Sequence, residues 1–519
     1  MPERFFLTTA IDYVNGPPHL GHAYEKVVAD IQARYQRSLG KDVHFLTGVD
    51  QHGQKMKQTA DQQGTTPRKL AERMTPHFLH LLELLEVSND RFAVTTDAGH
   101  IAAVQALQQR LFDAGDIYFA EYEGYYSTRA EQYVTEKDKV DGEWPELFGE
   151  VVELTEANYF FRTSKYQAWL VEHLQANPGF IFPEFRANEV LAALKEPLND
   201  MCISRPKSRL DWGIELPFDR DYVTYVWFDA LLNYYTFSGK EGPDGEKRWP
   251  ADEHHIGKDI MVPAHAVYWP TMLKAMDLPL PGRLCVHGFW SVNGAKMSKT
   301  TGNFIEPGEY VAKYGADALR YFLARECVFG QDADFSEEKF RQRYSSDLAK
   351  GLGNLVQRSL SMLHRYRDGV VPAYAADAVT EAEAELRHDA VLDAYRAAMD
   401  ALNHRGALET VWAFIQSADQ YIEQTQPFKL AKDAAQAGRL DVILAHLVET
   451  VRRLAVLVEP VLPATAGKIR RTLNLPATTG GASLTEAAFG TTLAGQATLK
   501  PTPLFPGLEQ LETQPPTPN

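Results

Sequence analysis

Cysteine is scarce: Cys202, Cys285 and Cys327 are the only three in 519 residues. They are too scattered, and free of any CxxC spacing, for a disulfide framework or a cysteine zinc site, so a reducing cytoplasm is the expected compartment. Long apolar runs are missing as well, none approaching the roughly eighteen residues of a membrane span. Met1-Pro-Glu-Arg4 leads straight into a strand pattern, without the basic and apolar regions of a secretory leader. Neither secretion nor membrane insertion is expected. Positive charge is in deficit too, 53 Lys and Arg against 69 Asp and Glu giving a net charge of −16, whereas nucleic-acid phosphates are met by Lys and Arg. Local basic groupings remain at Arg205-Pro-Lys-Ser-Arg209, Arg341 and Arg343, Arg365 and Arg367, Arg452-Arg453 and Lys468-Ile-Arg-Arg471. Such groupings are most often solvated faces, compatible with a nucleic acid without requiring one.

What is present is chain enough for three or four domains with ample cores. Residues 1–114 alternate strand and helix patterns: a strand over Phe5 to Ile11, a helix from Ala23, a strand over Val43 to Leu46, then helices after Gly53, over Leu70 to Leu85 and over His100 to Phe112. That order predicts a parallel sheet, hence an α/β fold. Over 115–215 the pattern changes to aromatic strands, charged turns and a short helix, which read as an insertion between two halves of the sheet. The α/β pattern resumes over 216–290. After a Gly-rich loop, 291–345 turns helical, and 346–475 carries the apolar spacing of a helical bundle, as in Leu444, Leu447, Val451, Leu454 and Leu457. The tail, 476–519, is rich in Gly, Thr and Pro, and its last dozen residues read as disordered.

Two short stretches carry chemistry. In the first, the opening strand stops at Gly16-Pro17-Pro18 and His19-Leu-Gly-His22 opens a helix. A helix N-terminus attracts anions, His19 and His22 share a face at three-residue spacing, and Gly21 leaves room for a ligand. Alone this is weak, because histidines so placed are more often caps or surface residues. The second is Lys296-Met-Ser-Lys-Thr300, flanked by Gly294 and Gly302, with two ammonium groups and the Ser298 hydroxyl; by itself it reads equally as a solvated basic loop.

Taken together and in this order, the two resemble the paired signatures of class I aminoacyl-tRNA synthetases. Ala10-Ile-Asp-Tyr-Val-Asn-Gly-Pro-Pro-His-Leu-Gly-His22, Thr47-Gly-Val-Asp-Gln-His-Gly53 and Val292-Asn-Gly-Ala-Lys-Met-Ser-Lys299 resemble the methionyl-tRNA synthetase family in particular, over nearly the whole chain. The resemblance implies a Rossmann-type parallel sheet with an inserted connective domain, followed by an all-α anticodon-binding bundle and a tail packing back along the protein. It implies ATP-dependent activation of L-methionine to methionyl-adenylate and transfer to tRNA(Met), with Mg²⁺ accompanying ATP. His19, His22, Lys296 and Lys299 would be catalytic, and with Gly21, Gly257, Asp259 and Ser298 would bind ATP. Asp50, at the carboxyl edge of the sheet, reads as a helix cap or, by the family motif, as the holder of the substrate ammonium. Trp227, Ala230, Leu231 and Tyr234 fall at i, i+3, i+4 and i+7. With His265, Trp269 and the strand residues Ala10, Ile11 and Tyr13 they match the family's methionine pocket, although such stripes are usually plain core. Asn354 and Arg358, on one helix face, match anticodon readers.

Three departures from the family stand out. Ile260-Met-Val-Pro-Ala-His265 carries one residue more than the usual spacing. Phe428 stands where a base-stacking tryptophan is usual. The zinc-knuckle cysteine positions hold Ser127, Ala130 and Trp144, so no zinc is expected. No appended dimerisation module follows Leu504-Phe-Pro506, and a monomer is expected. The rival readings are a leucine, isoleucine or valine synthetase, which typically carries a larger editing insertion; a non-catalytic paralogue; and a nucleotidyltransferase of the same superfamily, which would leave the helical domain unexplained.

Overall fold

A computed structural model describes residues 2–127, 132–134, 136, 139, 140, 142–145, 149–239, 248–297, 303–375, 378–387, 389–478, 480–490 and 493–513. Its centre is a six-stranded parallel sheet. In spatial order the strands are Arg91–Val94, Asp42–Asp50, Arg4–Tyr13, Glu253–Gly257, Arg283–His287 and Ile181–Phe182. The opening strand lies in the middle, buried on both faces as apolar Phe5, Phe6 and Leu7 require. Its pairing with Asp42–Asp50 slips between Thr8 and Ile11, a bulge that puts one extra residue on the opening strand. Gly48 permits the edge strand Arg91–Val94 to approach: a Cβ there would lie 2.4 Å from the Ala93 carbonyl oxygen.

The expected insertion, 115–215, is not wholly outside this sheet. Ile117–Ser127 and Val151–Phe161 form the antiparallel hairpin of a separate four-stranded sheet. The later helices Gln167–Ala176 and Glu184–Ala193, however, flank Ile181–Phe182, the edge strand of the main sheet. Leu170, Leu174, Phe180 and Val190 share one core cluster with Ile256, Leu284 and Val286. A two-residue edge strand is too short to register as strand periodicity.

The first helix, Leu20–Ser38, is buried along most of its length and joins the α/β half to the helical half. Asp30 on this helix meets the fully buried Arg320 at 2.7 Å. Arg320 also donates to the carbonyls of Leu85, Pro460 and Val461 at 2.8–2.9 Å, tying three segments together. The helical half is built on Asn354–Arg367, His404–Thr425 and Ala437–Leu457. Arg452 and Arg453, read above as a basic grouping, are buried here: Arg453 donates to the Ala487 and Leu386 carbonyls, and Arg452 pairs with Glu449. Near the tail, Leu504 and Phe505 are buried and Tyr344 donates to the Pro506 carbonyl at 2.9 Å. Among the described residues no helix is long and apolar enough to cross a membrane.

Candidate active site

The carboxyl ends of the central strands surround a cavity of about 180 Å³, lined by Ala10, Ile11, Tyr13, Asp50, Lys55, Trp227, Ala230, Leu231, Tyr234, Asp259, Ile260 and His265. This is the position where open parallel sheets hold ligands. Every residue expected for the methionine pocket lines it except Trp269, which lies one layer behind. Trp269 is fully buried, its ring 5.8 Å from Tyr234, and its Nε1 donates to His254 Nε2 at 3.2 Å. Lys55 was not expected; its ammonium sits 5.4 Å over the Tyr13 ring.

Two short helices, Val226–Leu231 and Asn233–Thr236, replace the single expected one, but the helical geometry of Leu232 between them keeps Trp227 and Tyr234 facing the same cavity. Opposite them, the helical segment Met261–Tyr268 is broken by a kink at Val262, whose backbone is extended (φ −111°, ψ 129°). The kink falls between Ile260 and His265, where the additional residue lies, and both of those residues face the cavity. Met261 turns into the core instead. His265 Nδ1 meets the Ile260 carbonyl at 2.8 Å, a contact that requires Nδ1–H, so Nε2 accepts from the Tyr234 hydroxyl at 2.7 Å. Burial lowers His265 to about 4, leaving a neutral ring at neutral pH.

Asp50 is one of two carboxyl residues in the cavity lining, with Asp259, and is almost fully buried. Its Oδ1 accepts from the His52 backbone N–H at 3.1 Å and the Thr95 hydroxyl at 3.2 Å. The cap reading of Asp50 therefore gives way to a tight local turn, and Gly53, at φ 100°, starts the next helix. Burial, then the neighbouring Asp229 carboxylate, push Asp50 up to about 8. Asp229 is held in turn by His52 Nδ1 at 2.6 Å and His100 Nε2 at 2.7 Å, and these partners outweigh its burial and keep its pKa low. Sequence reading missed this network. The only available signal was a charged residue, Asp229, lying between Phe228 and Ala230 on a core-facing stretch.

On the other side of the opening strand, His19 caps the first helix. His19 Nδ1 accepts from the Gly21 N–H and His22 Nδ1 from the His19 N–H, both at 3.0 Å. Two amides expected to face an anion are thus already satisfied. The bonds also fix each ring's tautomer, with the proton on Nε2. The ring centroids lie 3.9 Å apart with the planes tilted by 30°, and burial, then the Lys26 ammonium, lower His22 to about 4. The pair is therefore a twin set of neutral N–H donors. Gly21 makes room for the His19 ring itself: a Cβ would come within 2.9 Å of it.

Gly257 ends its strand at the sheet's carboxyl edge, and the Asp259 carboxyl folds back toward it, raised in pKa by burial. Lys296 ends the short strand Ala295–Lys296, paired with Trp290–Val292, which lies parallel to Ala333–Phe335. Ser298 and Lys299 lie outside the described residues, as does Ala130. In the insertion Ser127 is buried, and Trp144 packs 5.2 Å from Tyr125 with the Lys139 ammonium 4.8 Å over its ring. In the bundle, Arg358 pairs with Glu423 at 2.7 Å and Asp419 at 3.4 Å, while Asn354 is exposed one turn earlier. Phe428 is 41% exposed, just past the helix that carries Glu423.

The sequence matches the family described as tRNA synthetases class I (M) over residues 5–151 and 146–360, and the anticodon binding domain of methionyl tRNA ligase over 371–514. A methionine–tRNA ligase of Deinococcus radiodurans is 45% identical, aligned over 99% of this chain and 77% of its own length. One of Rhizobium meliloti is 42% identical over 97% of this chain and 98% of its own. The structure of Mycobacterium tuberculosis methionyl-tRNA synthetase in complex with methionyl-adenylate superposes with a TM-score of 0.91 at 41% identity, covering 97% of this chain and 100% of that one. With a family match in both the α/β and the helical halves, and relatives above 40% identity along almost its entire length, the chain belongs to the methionyl-tRNA synthetase family of class I aminoacyl-tRNA synthetases.

Proposed function

We propose the following division of labour for this methionine–tRNA ligase, which activates methionine with ATP and transfers it to tRNA. The single observation that carries it is the cavity of about 180 Å³ with aromatic walls and the carboxyl groups of Asp50 and Asp259 in its lining. It is smaller than the roughly 300–1,000 Å³ that takes a drug-sized ligand, so it suits one amino-acid side chain and leaves the nucleotide outside. Methionine's side chain enters between Trp227, Tyr234, Ile260 and His265, where polarisable sulfur meets aromatic faces. Its α-ammonium pairs with Asp50, which binding drives into the ionised form.

The reaction needs no general base, because the methionine carboxylate is already ionised when it attacks the α-phosphate. Catalysis rests on alignment and on stabilising charge on the phosphoryl oxygens. The Nε2–H groups of His19 and His22 face the phosphates, and Lys296 and Lys299 supply cations from their loop, with Ser298 beside them. Mg²⁺ arrives with ATP, held mainly by its phosphates. The backbone at Gly257 meets adenosine and the Asp259 carboxylate its ribose. In the bundle, Asn354 and Arg358 bond to anticodon bases of initiator and elongator tRNA(Met) and Phe428 stacks on one, Arg358 being preset by Glu423 and Asp419.

The protein acts as a cytoplasmic monomer, its insertion held by packing such as Tyr125–Trp144–Lys139 in place of zinc; stoichiometric zinc in chelator-washed protein would contradict that last point. The test of the whole reading is ATP–pyrophosphate exchange run separately with each amino acid. Exchange dependent on methionine is expected, and exchange with leucine, or with none, would overturn it.

A further inference from the structure

We propose that Lys26, a buried lysine outside the sequence motifs, is a positioning residue that shapes the strand end forming one wall of the cavity. The bulge in the opening strand is the reason it is needed. The opening strand registers with one neighbour as far as Thr8 and again from Ile11, and with the other only as far as Thr9, so Ala10 is paired on neither side. A carbonyl left out of the ladder at the centre of a sheet requires other donors. The Thr9 hydroxyl is one, at 3.0 Å, and Lys26 supplies the charged one from one turn after His22. Its ammonium, on a side chain only 2% exposed, donates to the Ala10 carbonyl at 2.8 Å, the Thr9 hydroxyl at 3.1 Å, Asp12 at 3.3 Å and Glu25 at 2.8 Å. Three of these four acceptors lie within Thr9 to Asp12, the stretch that turns Ala10, Ile11 and Tyr13 toward the cavity. Thr9 is further tied to Thr47 at 2.7 Å, and Glu25 to His287 at 3.1 Å. One ammonium thus links the helix that carries His19 and His22 to the wall contributed by the opening strand.

The inference rests on the assignment of the cavity to methionine. It predicts that Lys26 acts on methionine affinity more than on ATP affinity, because its bonds end on the cavity wall rather than on the histidine rings. The experiment is methionine-dependent pyrophosphate exchange on the full chain carrying Lys26→Met or Lys26→Gln, each with Asp12→Asn, so that Glu25, which keeps its contact with His287, is the one carboxylate that loses the ammonium. Asp12→Asn alone is the reference. Lys26→Met/Asp12→Asn is expected to raise KM for methionine roughly tenfold, the scale of one lost charge-assisted hydrogen bond, with KM for ATP within about twofold. Lys26→Gln/Asp12→Asn, which keeps an N–H donor for the Ala10 carbonyl, should recover most of that loss. A fall in melting temperature with both KM values unchanged, or parallel rises in the two, would overturn the proposal. If the methionine substitution prevents folding, the glutamine variant decides by the same split: a rise confined to methionine supports the proposal and parallel rises refute it. Absence of methionine-dependent exchange in the unsubstituted protein would instead refute the cavity assignment, so the two failures are distinguishable.

Discussion

Replacing Tyr234 with Phe removes one oxygen from the wall of the cavity and nothing else. That oxygen is the donor to His265 Nε2, at the end of a chain that runs through His265 Nδ1 to the Ile260 carbonyl. Tyr234 and His265 are 1% and 2% exposed, so the bond is dry from the protein's own packing. Removing the donor leaves a buried acceptor unpaired, a cost of roughly 1–3 kcal/mol. Because that cost exists without ligand, most of it should appear as lost folding stability. The remainder arises if a water enters the cavity to satisfy Nε2, since methionine then displaces it without replacing its hydrogen bond and leaves Nε2 unpaired, a cost within the same roughly 1–3 kcal/mol. The variant is therefore expected to lose about 1–3 kcal/mol in denaturant unfolding. It should raise KM for methionine by about tenfold in pyrophosphate exchange, the equivalent of roughly 1.4 kcal/mol, with KM for ATP unchanged. His265 stays neutral above about pH 5, its pKa being lowered to about 4, so both effects should be flat from pH 6 to 9. A variant matching the parent in stability and in KM would refute this account of the wall.

Asp50→Asn keeps both hydrogen bonds to the side-chain oxygen and removes a carboxyl whose folded pKa is raised to about 8. A pKa raised on folding penalises the native state as pH climbs from the unfolded value near 4 toward 8. The variant should therefore out-melt the parent by a margin that widens from pH 5 to pH 8 while exchange activity is lost; a margin independent of pH would contradict the buried carboxyl. His22→Ala removes one N–H donor and is expected to cost roughly 10²–10³ in kcat for exchange, with KM for methionine little changed; a loss under fivefold would argue against a phosphate-facing imidazole. Arg320→Met takes one of two cations from the buried Asp30, which keeps Arg34, and unpairs the Leu85, Pro460 and Val461 carbonyls; it should cost about 3–5 kcal/mol in chemical denaturation, against which a loss below 1 kcal/mol would count.

The parts of the site carried by local spacing were legible in the sequence. The strand, turn and helix around His19 and His22, and the face shared by Trp227, Ala230, Leu231 and Tyr234, both follow from periodicities of two and of about 3.6 residues. Interactions closed across the chain left no such mark. His100 and Asp229 meet 129 residues apart in sequence, and Lys26 reads as one more polar helix residue until the bulge at Ala10 is seen. Arg452-Arg453 misled for a related reason: a guanidinium that satisfies buried carbonyls looks in sequence like a solvated charge. The edge strand Ile181–Phe182 was too short for its pattern to show, so its helices were assigned to the insertion. The kink at Val262 shows in the sequence only as one surplus residue before His265.

The most direct test of the central claim is a crystal structure of this protein with methionine bound. The thioether is expected between Trp227, Tyr234 and His265, with the α-ammonium within hydrogen-bond distance of the Asp50 carboxylate. A side chain lodged outside the cavity lined by Ala10, Ile11 and Ile260, or an ammonium paired with any other group, would contradict it.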